Sequence, residues 1–174
     1  VMIMKSEFKK IAIICASERE LAPFLPLIEN PTVSERAMLR IHEGRLNGFE
    51  VAAVYCGVCK VNAAAAAQIM IDCYGADTVI SAGASGGMAE DLQLFDTVVA
   101  AEAWYHDVHE RILADYHPFM KTQFFPASSE LVSAAKAAAK PLAERGQRIF
   151  FGRTATGEAF IADEGRADIN SRLA

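Results

Sequence analysis

The sequence has no cluster of basic residues. Its 17 Lys and Arg are scattered and outnumbered by 22 Asp and Glu, for a formal net charge of -5. Duplex binding depends on grouped cations that displace counterions, so a nucleic-acid partner is excluded and small molecules are the expected ligands. Long apolar runs are missing too. The opening Val1-Met2-Ile3-Met4 is followed at once by Lys5, Glu7, Lys9 and Lys10, which leaves neither a signal-peptide core nor a membrane span and points to the cytoplasm. Cysteine is scarce, at 4 residues, in or beside apolar stretches, which suits reduced, buried thiols rather than a disulfide framework. Cys56-Gly57-Val58-Cys59 has the spacing of a metal or redox pair, but no second pair or His pair accompanies it, so no metal is expected. The Gly83-x-x-Gly86-Gly87 turn lacks dinucleotide spacing and the Lys-Ser/Thr ending of a P-loop, which disfavours NAD and ATP. Repeats, low-complexity linkers and domain boundaries are also absent.

What is present is 52% hydrophobic and 22% charged residues over 174 positions, the composition of one soluble globular domain covering residues 1–174. Lys10 to Ala16 predicts a strand, and Glu18 to Ile28 carries Leu21, Phe24, Leu25 and Ile28 at helical spacing. Met38 to Leu46 and Phe49 to Tyr55 flank Asn47-Gly48, a dipeptide that tolerates the positive φ angles of a tight hairpin turn. Lys60 to Tyr74 is an Ala-rich helix, and Asp77 to Ala82 a buried strand ending in glycine. Asp96 to Tyr105 and Arg148 to Ala155 read as further strands. Ser129 to Arg145 is a helix with Ser128 or Ser129 as cap and Gly146 as stop, and a last helix begins at Asp163. Strands interleaved with helices, plus one hairpin, predict an α/β fold of three layers, αβα, with a mixed central sheet. His106 to Pro126 is irregular. Together with Trp104 and Tyr105 it supplies Tyr116, Phe119, Phe124 and Phe125, aromatic area suited to covering a site or meeting a second subunit.

Ligands of open α/β sheets gather beyond the carboxyl ends of the strands, which singles out four segments: 16–20, 57–62, 83–87 and 156–161. Glu18 and Glu20 fit a charged first helical turn, and equally a carboxylate that points into a crevice as a general base. The glycines of 83–87 fit a tight turn or the close approach of a ligand. Phe160 can stack on a base or close the core. His106, Asp107 and His109, at a strand end, fit surface or interface groups better than metal ligands.

Taken in order, Glu18-x-Glu20, Leu46-Asn47-Gly48, Gly57-Val58-x-Lys60-Val61-Asn62-Ala63-Ala64, Gly83-x-x-Gly86-Gly87, Tyr105-His106-Asp107 and Gly157-Glu158-Ala159-Phe160-Ile161 resemble the methylthioadenosine/S-adenosylhomocysteine nucleosidases across essentially the whole chain. The resemblance implies a nucleoside-phosphorylase-like fold, a homodimer, no cofactor, and hydrolysis of the bond between adenine and a 5'-thioribose. It assigns Glu20 to activate the attacking water, Gly86 to a backbone contact with substrate, Phe160 to stack on adenine, and the main chain of Ile161 to read the adenine edge. Val58 falls where the family lines the pocket for ribose and the thioalkyl group.

This chain departs from the family at several points. Ala84 stands where relatives carry Ser, so a hydroxyl near the water is missing unless Ser85 or a main-chain amide replaces it. Ser17 stands where a Met often lines the site, and the stretch from His109 to Asp115 differs from the usual one. A phosphorolytic purine nucleoside phosphorylase of the same fold is the nearest rival, yet Ser81 occupies the position of its phosphate-holding Arg. A non-catalytic adenine-nucleoside-binding protein is the rival from another class. The resemblance also implies a ribose-binding Met-Glu strand and an adenine-protonating Asp after the helix at Asp163. Neither motif follows Ile161, so the C-terminal part of the fold is expected to be missing from these 174 residues, and the chain alone to be inactive.

Overall fold

The computed structural model describes residues 8–109 and 111–173. The apolar opening at 1–4 and Glu110 lie outside the described residues. The chain forms two compact units, one ending at Ser85 and the other beginning at Gly86.

The first unit holds a five-stranded mixed sheet in the order β2-β3-β4-β1-β5. Its strands are β1 (Lys10–Cys15), β2 (Glu29–Arg36), β3 (Leu39–Leu46), β4 (Phe49–Tyr55) and β5 (Thr78–Ser81). The central pair, β1 and β4, is parallel and apolar at consecutive positions because both of its faces are covered. Ala12, Ile14, Ala52 and Val54 meet Ala66 and Met70 of helix α2 (Lys60–Tyr74). On the opposite face Ile13, Cys15, Val51 and Ala53 pack with Leu21 and Ile28. The alternation of period two therefore sorts one apolar run into two cores, and the unit has helix, sheet and helix as successive layers. The hairpin turn between β3 and β4 falls on Asn47 and Gly48, with φ 51° and 88°.

The helix expected over Glu18 to Ile28 is only α1 (Glu18–Leu21), followed by a 3-10 turn at Leu25–Leu27. Pro23 and Pro26 remove amide donors and crowd the preceding turn, which stops the helix despite the apolar spacing. The released chain forms β2, a strand the sequence analysis did not anticipate. It lies at the sheet edge, with its register shifted between Glu29 and Thr32, where Pro31 costs no ladder bond. Gly44 of β3 fits under this irregularity, since a Cβ there would lie 2.5 Å from the Glu29 carbonyl oxygen.

The second unit holds a three-stranded mixed sheet in the order β7-β6-β8, from β6 (Thr97–Tyr105), β7 (Phe124–Pro126) and β8 (Ile149–Thr156). Helix α4 (Ser129–Ala143) packs on β6, capped by the Ser128 hydroxyl, which accepts from the Leu131 amide at 3.3 Å. The stretch from His106 to Pro126 is more ordered than expected, with helix α3 (Ile112–Tyr116) and strand β7 inside it. Its aromatics are mostly engaged within the unit. Trp104 is buried, Tyr105 meets Phe125 edge-on at 5.1 Å, and Arg153 lies 4.4 Å over Phe124. Tyr116 and Phe119 remain exposed. Helix α5 (Asp163–Leu173) buries Ile169 and sets Arg172 over Trp104.

All four cysteines are free thiols, but only Cys15 is buried; Cys56 is half-buried, and Cys59 and Cys73 are exposed. Apolar neighbours in sequence misled here because Cys59 precedes α2 and Cys73 lies on its outward side. Among the described residues no helix is long and apolar enough to cross a membrane.

Candidate active site

The Glu20 side chain is firmly anchored in the first unit. Strand β1 ends at Cys15 and Ser17 caps the short helix α1, which makes Glu20 the third helical residue. A reciprocal capping box results. The Ser17 amide and hydroxyl donate to Glu20 Oε2 at 2.8 and 3.0 Å, and the Glu20 amide donates to Ser17 Oγ at 3.4 Å. The other oxygen, Oε1, accepts from the Ala84 amide at 2.8 Å, beyond the end of β5. That amide bond, with the Ser17 donors, holds the carboxyl below the usual carboxylate range even though partial burial opposes the charge. Glu20 is consequently an anion at neutral pH. Glu18, two residues earlier, is exposed, so the structure separates two carboxylates that their place at a helix start left equivalent.

Gly83 makes room for this arrangement, since a Cβ there would lie 2.6 Å from Glu20 Oε1. Ala84 and Ser85 follow, both exposed. The main-chain amide of Ala84, one of the two expected substitutes for the missing hydroxyl, is the group that reaches Glu20. Val58 is exposed in the turn after β4, which Asn62 ties down by donating to the Val58 carbonyl at 2.7 Å. Gly57 and Cys59 there have φ of 84° and 86°, so backbone of an unusual kind leads into α2.

In the second unit, Gly86 is exposed, and an added Cβ would meet nothing within 4 Å. Neither a left-handed turn nor packing demands glycine at that position. Phe160 projects into solvent at 99% exposure rather than into the core. Ile161 is half-buried and packs toward Gly165 of α5.

The segment leading to Phe160 is held by His106 and Asp107, whose place at a strand end suggested surface or interface groups. Asp107 accepts from the Glu158 amide at 2.9 Å, and the His106 amide donates to the Thr156 carbonyl at 3.0 Å. His106 is buried rather than a surface group, its imidazole lying where a side chain at Gly157 would otherwise sit, and its carbonyl accepts from Arg172 at 2.8 Å. His106 and Asp107 thus act as struts for the 156–160 turn. Among the described residues no three His, Cys, Asp or Glu side chains cluster as metal ligands would.

The chain matches the phosphorylase superfamily over residues 10–173. It is 33% identical over 164 residues to the 5'-methylthioadenosine/S-adenosylhomocysteine nucleosidase of Chromohalobacter salexigens, an alignment spanning 92% of this chain and 68% of that one. The nucleosidase of Neisseria meningitidis, solved with methylthio-immucillin-A, superposes with a TM-score of 0.86 at 30% identity, covering 95% of this chain and 72% of that one. The Colwellia psychrerythraea nucleosidase, solved with adenine, gives a TM-score of 0.86 at 29% identity over 98% of this chain and 71% of that one. Sequence and fold agree, and the chain belongs to the phosphorylase superfamily, among its 5'-methylthioadenosine/S-adenosylhomocysteine nucleosidases.

Proposed function

We propose that the protein hydrolyses the N-glycosidic bond of 5'-methylthioadenosine and S-adenosylhomocysteine, releasing adenine and a thioribose. The observation that carries this reading is the Glu20 carboxylate, ionised and fixed between the Ala84 amide and Ser17. Cleavage of a glycosidic bond passes through an oxocarbenium-like sugar, which needs an oriented water on the face opposite the leaving base. A fixed carboxylate that accepts one proton from that water as it attacks meets the need. Among the described hydrogen bonds Oε2 accepts two and Oε1 one, which leaves Oε1 an acceptor position for the water. In this reading Phe160, whose ring is exposed, stacks on adenine, and Gly86, Ala84, Ser85, Val58 and the main chain of Ile161 are further substrate contacts.

Phosphorolysis is the less favoured chemistry. A phosphate would meet the Glu20 anion beside the Gly-rich turn, and the Ala84 amide already serves that carboxylate. Ser81 provides no cation to offset the repulsion. The reading includes a cytoplasmic protein that needs no cofactor, binds neither nucleic acid nor membrane, and pairs as a homodimer. Within the 106–126 stretch, Tyr116 and Phe119, at 83% and 86% exposure, offer aromatic area for that pairing.

Adenine release decides the matter. The purified full-length protein is given methylthioadenosine, S-adenosylhomocysteine, adenosine and inosine, each with and without phosphate. Release from the first two at rates indifferent to phosphate is expected. Strict phosphate dependence would make the enzyme a phosphorylase, and tight nucleoside binding without release would make it a binding protein. Sedimentation at micromolar concentration tests the dimer, and a monomeric mass would remove it.

A further inference from the structure

We infer that Ser17 is a positioning residue for hydrolysis, its hydroxyl orienting the Glu20 carboxylate so that Oε1 is left to the water. This inference rests on the reading of Glu20 as the base. It follows from how the donors divide between the two oxygens. Ser17 supplies both an amide and a hydroxyl to Oε2, at 2.8 and 3.0 Å, and so fills that oxygen's lone-pair directions. The Ala84 amide takes one direction on Oε1 at 2.8 Å. With Ala at 84 there is no side-chain hydroxyl on the Oε1 side, and Ser17 is the only hydroxyl that the described hydrogen bonds bring to this carboxylate.

The pattern constrains rotation. A carboxylate held at one oxygen alone can swing about its terminal torsion, which is broad and roughly two-fold. Held at Oε2 by two donors and at Oε1 by a third, it keeps its plane and presents a fixed acceptor. Gly83 leaves the space beside Oε1 that any larger residue would fill. The hydroxyl also lowers the carboxyl's proton affinity, second to the Ala84 amide among the groups that do so. Ser17 therefore trades some basicity for orientation and for full ionisation.

A purely structural role, capping a four-residue helix, must be separated from this one. Glycine is almost as good an N-cap as serine and keeps the backbone amide that donates to Oε2, so Ser17→Gly removes the hydroxyl with little change in the fold. Threonine restores the hydroxyl, and Ser17's extended backbone, φ -140° and ψ 160°, accepts it. The experiment titrates the Glu20 carboxyl by carbon-13 NMR in the full-length protein and its Ser17→Gly and Ser17→Thr variants, and measures kcat, KM and the acid limb of kcat/KM for methylthioadenosine in each. In Ser17→Gly the carboxyl should titrate at higher pH, the acid limb should move the same way, and kcat should fall about tenfold with KM little changed. Ser17→Thr should restore all three. An unmoved carboxyl titration in a folded Ser17→Gly protein overturns the inference, even where turnover falls. Failure of the underlying reading looks different: Glu20→Gln would then turn over normally, whatever Ser17 does to the titration.

Discussion

The Ala84 amide and Glu20 Oε1, 64 residues apart in the chain, meet at 2.8 Å. The contact joins the turn after β1 to the turn after β5, two neighbouring parallel strands whose carboxyl ends lie side by side. It turns a helix-start carboxylate into a fixed anion. Glu20→Gln preserves the shape and loses proton acceptance, so turnover should fall by about a hundredfold or more while nucleoside binding persists. Near-normal turnover in that variant would remove Glu20 from the chemistry.

Acid should weaken the fold in part through Asp77. The Lys9 and Lys10 amides and the Thr78 hydroxyl donate to its carboxylate, and the first of these does most to hold its pKa below the usual value. A carboxyl with a lowered folded pKa contributes stability that is present above its unfolded pKa, roughly 4, and is lost as pH falls through the folded value. Denaturation curves of the protein and of Asp77→Asn should therefore differ at pH 7 and converge once the pH has fallen below the folded pKa of Asp77. A constant gap across that window would show that the ionised carboxylate is not the source.

Phe160 is 99% exposed, so its removal should cost little stability. Phe160→Leu should weaken adenine binding by about tenfold through loss of the stacking face, with a melting temperature close to that of the parent. A lower melting temperature with unchanged adenine affinity would assign the ring to packing instead.

The thiols should divide by reactivity. Burial, helped by the nearby Glu20 charge, pushes the Cys15 thiol up to about 11, which leaves on the order of 10⁻⁴ as thiolate at neutral pH. Iodoacetamide should label Cys59 and Cys73 in the native protein and reach Cys15 only on unfolding. Mass mapping that found Cys15 labelled at a comparable rate would contradict the packing around β1.

Cys59 has φ 86° and ψ 151°, backbone that is nearly exclusive to glycine. Cys59→Gly relieves that strain and gives back some chain entropy, for a net gain of about 1 kcal/mol and a melting temperature ~2–4 °C higher. A drop in melting temperature would mean that the side chain contributes packing worth more than the strain.

Wherever spacing was local and strong, the amino-acid order was enough. The apolar run of β1, the Asn47-Gly48 hairpin, the Ala-rich α2 and the capped α4 all form as their patterns require, because each depends on neighbours within a few positions. The α/β class followed from their alternation, and the candidate residues from their places after strands and from the shared order of motifs. Elsewhere the pattern was ambiguous. Apolar spacing over 18–28 favoured a helix that Pro23 and Pro26 forbid, and the polar β2 shows no alternation because an edge strand buries little. Position along the chain could not choose between Glu18 and Glu20, nor tell an exposed Phe160 from a packed one, although the family resemblance pointed to Glu20 and Phe160. Those choices lie with contacts between distant segments: the Ala84 amide arriving over Glu20, and Asp107 holding Glu158 so that Phe160 faces solvent. A side chain's charge state and exposure are properties of whatever surrounds it in space, and only the tertiary fold assembles those surroundings.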